Sequence, residues 1–106
     1  DGDTFKVDLE GVHPLFGDDV SVRINGIDTP EIKGETDEVE ALGRKARDFV
    51  KATLKGASQI ELRNLARDKY FRILADVYVN GQLLADALKE KGFAKDYDGE
   101  GPKPTW

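Results

Sequence analysis

Along the chain, apolar and polar residues alternate in several short stretches and fall at helical spacing in one long one. Phe5, Val7 and Leu9 alternate with Lys6, Asp8 and Glu10, the mark of a half-buried strand. Val20, Val22 and Ile24 repeat the pattern over Val20–Asn25, with Arg23 on the other face. Ser58–Arg63 predicts a further strand with Ile60 and Leu62 inward, and Arg72–Val79 a long one. Asn80-Gly81 is a two-residue hairpin signal leading into Gln82–Leu84. Between these stretches, Leu42, Ala46, Phe49, Val50 and Leu54 share one helical face. Asp37 or Thr36 can cap that helix, and Gly56 suits the position past its end. A shorter helix is predicted over about Leu83–Lys91, stopped by Gly92. Gly11–Asp19 reads as a loop or wide hairpin holding Pro14, and Leu65–Tyr70 as a charged loop.

The order strand, strand, helix, strand, strand, helix predicts a mainly β domain with helices, of the α+β class. Five or so short antiparallel strands with an inserted helix fit a five-stranded, partly open OB-type barrel. The count is one strand short, and a first strand lying just before Asp1 would supply it. The chain opens on Asp1 and holds no methionine, so a piece of a longer product is expected. With 106 residues, 39% of them hydrophobic, one core is the natural size. That core is expected over residues 1–97, with 98–106 a solvated C-terminal tail and Trp106 able to dock back.

The chemistry concentrates in three clusters. Asp28-Thr29-Pro30-Glu31 sets two carboxylates, a hydroxyl and backbone carbonyls into a stiff turn, an oxygen-rich arrangement suited to a hard cation. Asp1-Gly2-Asp3-Thr4 is a second acidic turn, running straight into the first strand. Arg67-Asp68-Lys69-Tyr70-Phe71-Arg72 is the third. Read singly, each has an ordinary explanation: turn chemistry, a strand end with a helix cap, a solvated loop. Alternation puts Arg23 and Arg72 opposite their strands' core residues, where two guanidinium forks can reach a surface phosphate without burying a charge.

Taken together the motifs resemble the staphylococcal nuclease (thermonuclease) family. Asp-Gly-Asp-Thr, Arg-x-x-x-x-Asp-Thr-Pro-Glu and Asp-Lys-Tyr-x-Arg-x-Leu-Ala-x-Val-Tyr follow in the family's order, and Leu42-Gly43, Gly81-Gln82-Leu83 and Ala94 agree. The resemblance implies calcium-dependent hydrolysis of phosphodiesters in DNA and RNA with little sequence specificity. It implies that Asp3 and Asp28, with the Thr29 main-chain carbonyl, hold Ca2+, and that Glu31 positions or deprotonates the attacking water. Arg23 and Arg72 would bind the scissile phosphate, while Lys69, Tyr70, Leu74 and Tyr97 would contact the nucleotide. Phe71 departs from the pattern, standing where familiar members carry glycine.

Charge and composition adjust this picture. The net charge of −5 runs against nucleic-acid binding, since nonspecific affinity comes from Lys and Arg, unless a bound divalent ion reverses the local potential. Cysteine is absent, which excludes disulfides and thiolate metal sites. His13, the single histidine, lies in a proline-containing loop and predicts no chemistry. No membrane association is expected. A monomer acting on single-stranded or locally unpaired DNA and RNA is, and an open calcium site suits a secreted or cell-envelope setting. The alternative is a noncatalytic module of a larger chain that binds nucleic acid or protein.

Overall fold

The computed structural model describes residues 1–7, 20–67 and 72–106. Seven strands and two helices appear among them. β1 (Thr4–Val7) pairs antiparallel with β2 (Val20–Ile24), placing Phe5 opposite Val22 and Thr4 opposite Arg23. β2 then pairs with β5 (Ile73–Val79), and this pairing is parallel, not antiparallel as the strand pattern predicts. Alternation reports which face a residue occupies but not the direction of its neighbour. β4 (Ile60–Arg67) lies antiparallel along the other side of β5, so the order is β1-β2-β5-β4.

The fifth strand of this sheet is β6 (Gln82–Leu83), joined to β5 by the expected hairpin, with Asn80 and Gly81 both at positive φ. With it the sheet reaches five strands among the described residues. A second, two-stranded sheet pairs β3 (Ile27–Asp28) with β7 (Lys95–Asp96). At two residues each, β3, β6 and β7 are too short for alternation to reveal.

The long helix α1 spans Asp37–Lys55. Thr36 caps it by accepting the Val39 N–H at 3.2 Å, and the Gly56 N–H closes the last turn on the Ala52 carbonyl. The second helix, α2 (Leu84–Glu90), buries Leu84, Ala85 and Leu88. These join Val22, Ile24 and Ile27, Val50 of α1, and Ala75, Val77 and Val79 in one core, against which Phe49 and Phe93 meet with ring centres 5.7 Å apart. Each fully buried aliphatic side chain contributes about 1.5–3 kcal/mol of transfer free energy. The fold is α+β, a mixed sheet with two helices, consistent with an OB-type domain.

Two expectations fail on β4. Ile60 shares the face of its partner Val79 yet is 42% exposed rather than covered, because β4 has only β5 beside it among the described residues. Nor does a loop begin at Leu65: the strand runs on to Arg67 through a bulge between Arg63 and Ala66, where Asn64 takes φ +55°. The extra residue breaks the alternation that would have marked the strand. His13, the Gly11–Asp19 loop and Phe71 fall outside the described residues.

Candidate active site

Register builds one row across the sheet: Thr4 on β1 faces Arg23 on β2, and Arg23 faces Leu74 on β5. Since side chains alternate, Val22, Ile24 and Ala75 point into the core while this row points the other way. Asp3 precedes the row at the start of β1. Arg72, two residues before Leu74, stands just ahead of β5 with its side chain against Thr4. Asp3, Thr4, Arg23, Arg72, Leu74 and Tyr97 all line a cleft of about 790 Å³.

The Asp28–Glu31 turn is braced from below by α1. A methyl group on Gly43 would sit 2.8 Å from the Pro30 carbonyl oxygen and 2.9 Å from that of Glu31, so the helix backbone packs directly on the turn. Gly2 makes a similar approach, its hypothetical methyl 3.0 Å from the Ala46 carbonyl carbon. One helix thus seats both acidic turns. They are also tied to each other: the Thr29 N–H donates to Asp3 Oδ2 at 3.4 Å, and the Ile32 N–H to Asp1 Oδ1 at 3.2 Å.

Asp3 and Asp28 are both buried. Burial pushes the Asp28 carboxyl above its ordinary value and the Asp3 charge adds to this, while the Trp106 N–H, Lys103 and Arg23 oppose it. Two neighbouring buried carboxylates of this kind invite a cation. Thr29 is 1% exposed, and its hydroxyl has no hydrogen-bond partner among the described residues. The set therefore fits a hard cation that takes part of its shell from carbonyls and water, as calcium does. It is a sparse set, because no group of three or more acidic, histidine or cysteine side chains placed to hold a metal occurs among the described residues.

Arg23 departs from expectation. It is not a surface residue but only 9% exposed. Its Nη1 donates to the carbonyls of Ile27 at 3.2 Å and Ile24 at 3.4 Å, and its Nη2 lies 3.7 Å from Asp3 Oδ2. Partners from the backbone and a carboxylate make the burial tolerable, and a guanidinium with five donors has others left. Arg72 is half-buried and donates from Nη1 to Thr4 Oγ1 at 3.3 Å, and Thr4 in turn donates to Asp3 Oδ1 at 3.1 Å. The Thr4 hydroxyl thereby links Arg72 to Asp3.

Glu31 is exposed, its Oε1 3.3 Å from Lys103 Nζ. Tyr97 is half-buried on the cleft wall, with its hydroxyl donating to the Gly101 carbonyl at 2.9 Å. Lys69 and Tyr70 lie outside the described residues. The segment 98–106 keeps most of its residues exposed, yet it folds back along the site: the Trp106 Nε1–H donates to Asp28 Oδ2 at 3.0 Å. No sequence motif assigns a role to Thr4, Lys103 or the Trp106–Asp28 contact. For Trp106 the available signal was a single large aromatic residue closing a polar run, which has little reason to stay in water.

No described helix is long and apolar enough to cross a membrane. Comparison with known proteins gives a consistent picture. The family described as "Staphylococcal nuclease homologue" matches residues 21–105. The thermonuclease of Staphylococcus hyicus is 31% identical over 96 residues, which are 90% of this chain and 53% of that protein. The thermonuclease of Staphylococcus intermedius is 32% identical over 96 residues, 90% of this chain and 54% of its own length. Endonuclease YncB of Bacillus subtilis (strain 168) is 36% identical over 97 residues, 90% of this chain and 43% of its own length. The chain thus spans about half the length of the curated relatives it matches. By this match and by its sequence motifs, the chain belongs to the staphylococcal nuclease family.

Proposed function

We propose that this domain is a calcium-dependent nuclease that hydrolyses phosphodiester bonds in single-stranded or locally unpaired DNA and RNA with little sequence preference. The observation that carries the reading is the convergence of Asp3, Arg23 and Arg72 on one cleft, with the Thr29 N–H bonded to Asp3 and the Asp28 carboxylate near enough to feel the Asp3 charge. The names of the relatives, two thermonucleases and an endonuclease, support it.

On this reading Asp3, Asp28 and the Thr29 carbonyl would hold the ion, which would supply Lewis-acid polarisation of the phosphate. Glu31 accepts the proton of the attacking water as the new P–O bond forms and the ester bond to the leaving nucleotide breaks. Arg23 and Arg72 face the negative charge that grows on the phosphorus oxygens. Because Arg23 is already held by two backbone carbonyls, it needs little rearrangement as that charge develops. Leu74 and Tyr97, with Lys69 and Tyr70, would contact the base and sugar.

The acidic net charge then ceases to be an obstacle. The cleft wall carries Asp1, Asp3, Asp98 and Glu100 against Arg23, Arg72 and Lys103, four negative side chains to three positive. A divalent ion held by Asp3 and Asp28 would offset the charge of those two carboxylates and leave Arg23 and Arg72 to face the phosphate. Residues 1–97 would form the nuclease body, acting as a monomer, and a weak open calcium site suits a secreted or cell-envelope setting.

Glu31→Gln tests the assignment against a noncatalytic binding module. We expect single-turnover cleavage of single-stranded DNA to fall by about 10²–10⁴, the usual contribution of a general base. Affinity measured by fluorescence anisotropy should stay nearly constant. Cleavage that survives the substitution contradicts the proposed role of Glu31, and wild-type binding without any cleavage favours the module.

A further inference from the structure

We infer that Trp106 is a positioning residue for the cation site, its indole N–H fixing Asp28 by one carboxylate oxygen so that the other is presented to the ion. The inference rests on the calcium reading above. Asp28 is 3% exposed, so the orientation of its carboxylate is set by protein groups and not by water. The Trp106 Nε1–H donates to Oδ2 at 3.0 Å. An indole is a donor only, with one N–H, so this bond has a single possible sense and leaves Oδ1 outside it. Donors of this kind, one step removed from a metal, orient its ligands and tune its affinity.

The indole is itself held in place. The Lys95 ammonium lies 4.6 Å from the centre of the Trp106 ring and also donates to the Thr105 carbonyl. Lys95 is the residue facing Asp28 across the β3–β7 pair. The lysine that anchors the indole is therefore fixed by backbone pairing to the very residue the indole orients. At the other end of the segment, the Tyr97 N–H donates to the Gly26 carbonyl at 2.9 Å and its hydroxyl to that of Gly101. Residues 97–106 are fastened at both ends. By contrast, the Lys103–Glu31 pair is more than half exposed on both side chains and contributes little.

The same contact could instead be a cap that competes with the ion, and the two roles predict opposite signs. A positioning residue strengthens calcium binding, and a cap weakens it. Trp106→Phe keeps an aromatic ring over Lys95 and deletes the donor. Calcium titrations by calorimetry on the wild-type chain and on this variant should show about a 10-fold or greater loss of affinity in the variant, on the scale found for other such donors. Trp106 is the only tryptophan, so its emission in the wild-type chain reads the contact directly and requires no variant to fold. Emission should shift with added calcium along a curve whose midpoint matches the calorimetric one.

Equal or tighter calcium binding by Trp106→Phe overturns the inference, as does wild-type emission that ignores calcium while calorimetry records binding. Those results leave the calcium reading standing. A flat calorimetric trace for the wild-type chain is a different failure: it removes the calcium reading and this inference with it.

Discussion

Arg72 donates to the hydroxyl of Thr4, 68 positions earlier in the chain, at 3.3 Å. Their strands are not neighbours, since β2 lies between β1 and β5, so the guanidinium reaches across a strand to make the bond. Thr4 passes the connection on to Asp3 Oδ1. A proposed phosphate-binding cation and a proposed metal ligand are thus oriented by one side chain.

If that bridge matters, Thr4→Val should be felt in catalysis more than in folding. The substitution keeps the shape and deletes one hydroxyl. We expect kcat/KM on single-stranded DNA to fall about fivefold, the equivalent of roughly 1 kcal/mol for a net hydrogen bond. Thr4→Ser should restore most of the rate. Equal rates for wild type and Thr4→Val would show that Arg72 and Asp3 are oriented by other contacts.

Gly43 tests the brace beneath Glu31. A methyl group there meets backbone atoms of Pro30 and Glu31 at 2.8–2.9 Å, and backbone yields less easily than a side-chain tip. Overpacking of this sort costs about 1–3 kcal/mol. Alanine returns about 1 kcal/mol through helix propensity. Urea denaturation should therefore show Gly43→Ala modestly less stable than wild type. Its kcat should drop as well, because the Glu31 backbone is what must move. A more stable, fully active variant contradicts the close approach.

Asp28 gives a pH dependence whose sign can be worked out. Its carboxyl is raised above 3.8 by burial first, then by Asp3. A carboxyl with a raised folded-state pKa binds its proton more tightly in the folded protein. It therefore favours folding at low pH, and that contribution is lost as pH rises from 3.8 through the folded value. In excess chelator, Asp28→Asn should melt above wild type at neutral pH, and the difference should close below pH 3.8. Adding calcium should raise the wild-type midpoint and leave Asp28→Asn nearly unmoved. A variant that melts lower than wild type in chelator at neutral pH would show that the Asp28 charge is already well compensated without an ion.

Much of this was legible because local patterns carry it. Alternation in Val20–Ile24 and Ile73–Val79 separates the core face from the Arg23–Leu74 face, and the Thr36 cap and the spacing of Ala46 and Val50 mark α1. The two acidic turns stand out as motifs. What the sequence hid depends on contacts between distant segments. The parallel pairing of β2 with β5 leaves no trace in either strand's own pattern. Arg23 looked like a surface cation because alternation knows two faces, and its face turned out to be the floor of a cleft covered by the turn at Ile27 and by Asp3. Trp106 and Asp28 are 78 positions apart, and nothing local to either announces the other.

If an ion held by Asp3 and Asp28 enables cleavage, withdrawing and restoring that ion must switch the activity off and on. The chain should be incubated with single-stranded DNA and calcium, treated with excess chelator, and then resupplied with calcium. Cleavage should stop on chelation and return with calcium. Cleavage indifferent to the chelator, or no cleavage in calcium at all, would contradict that role for the ion.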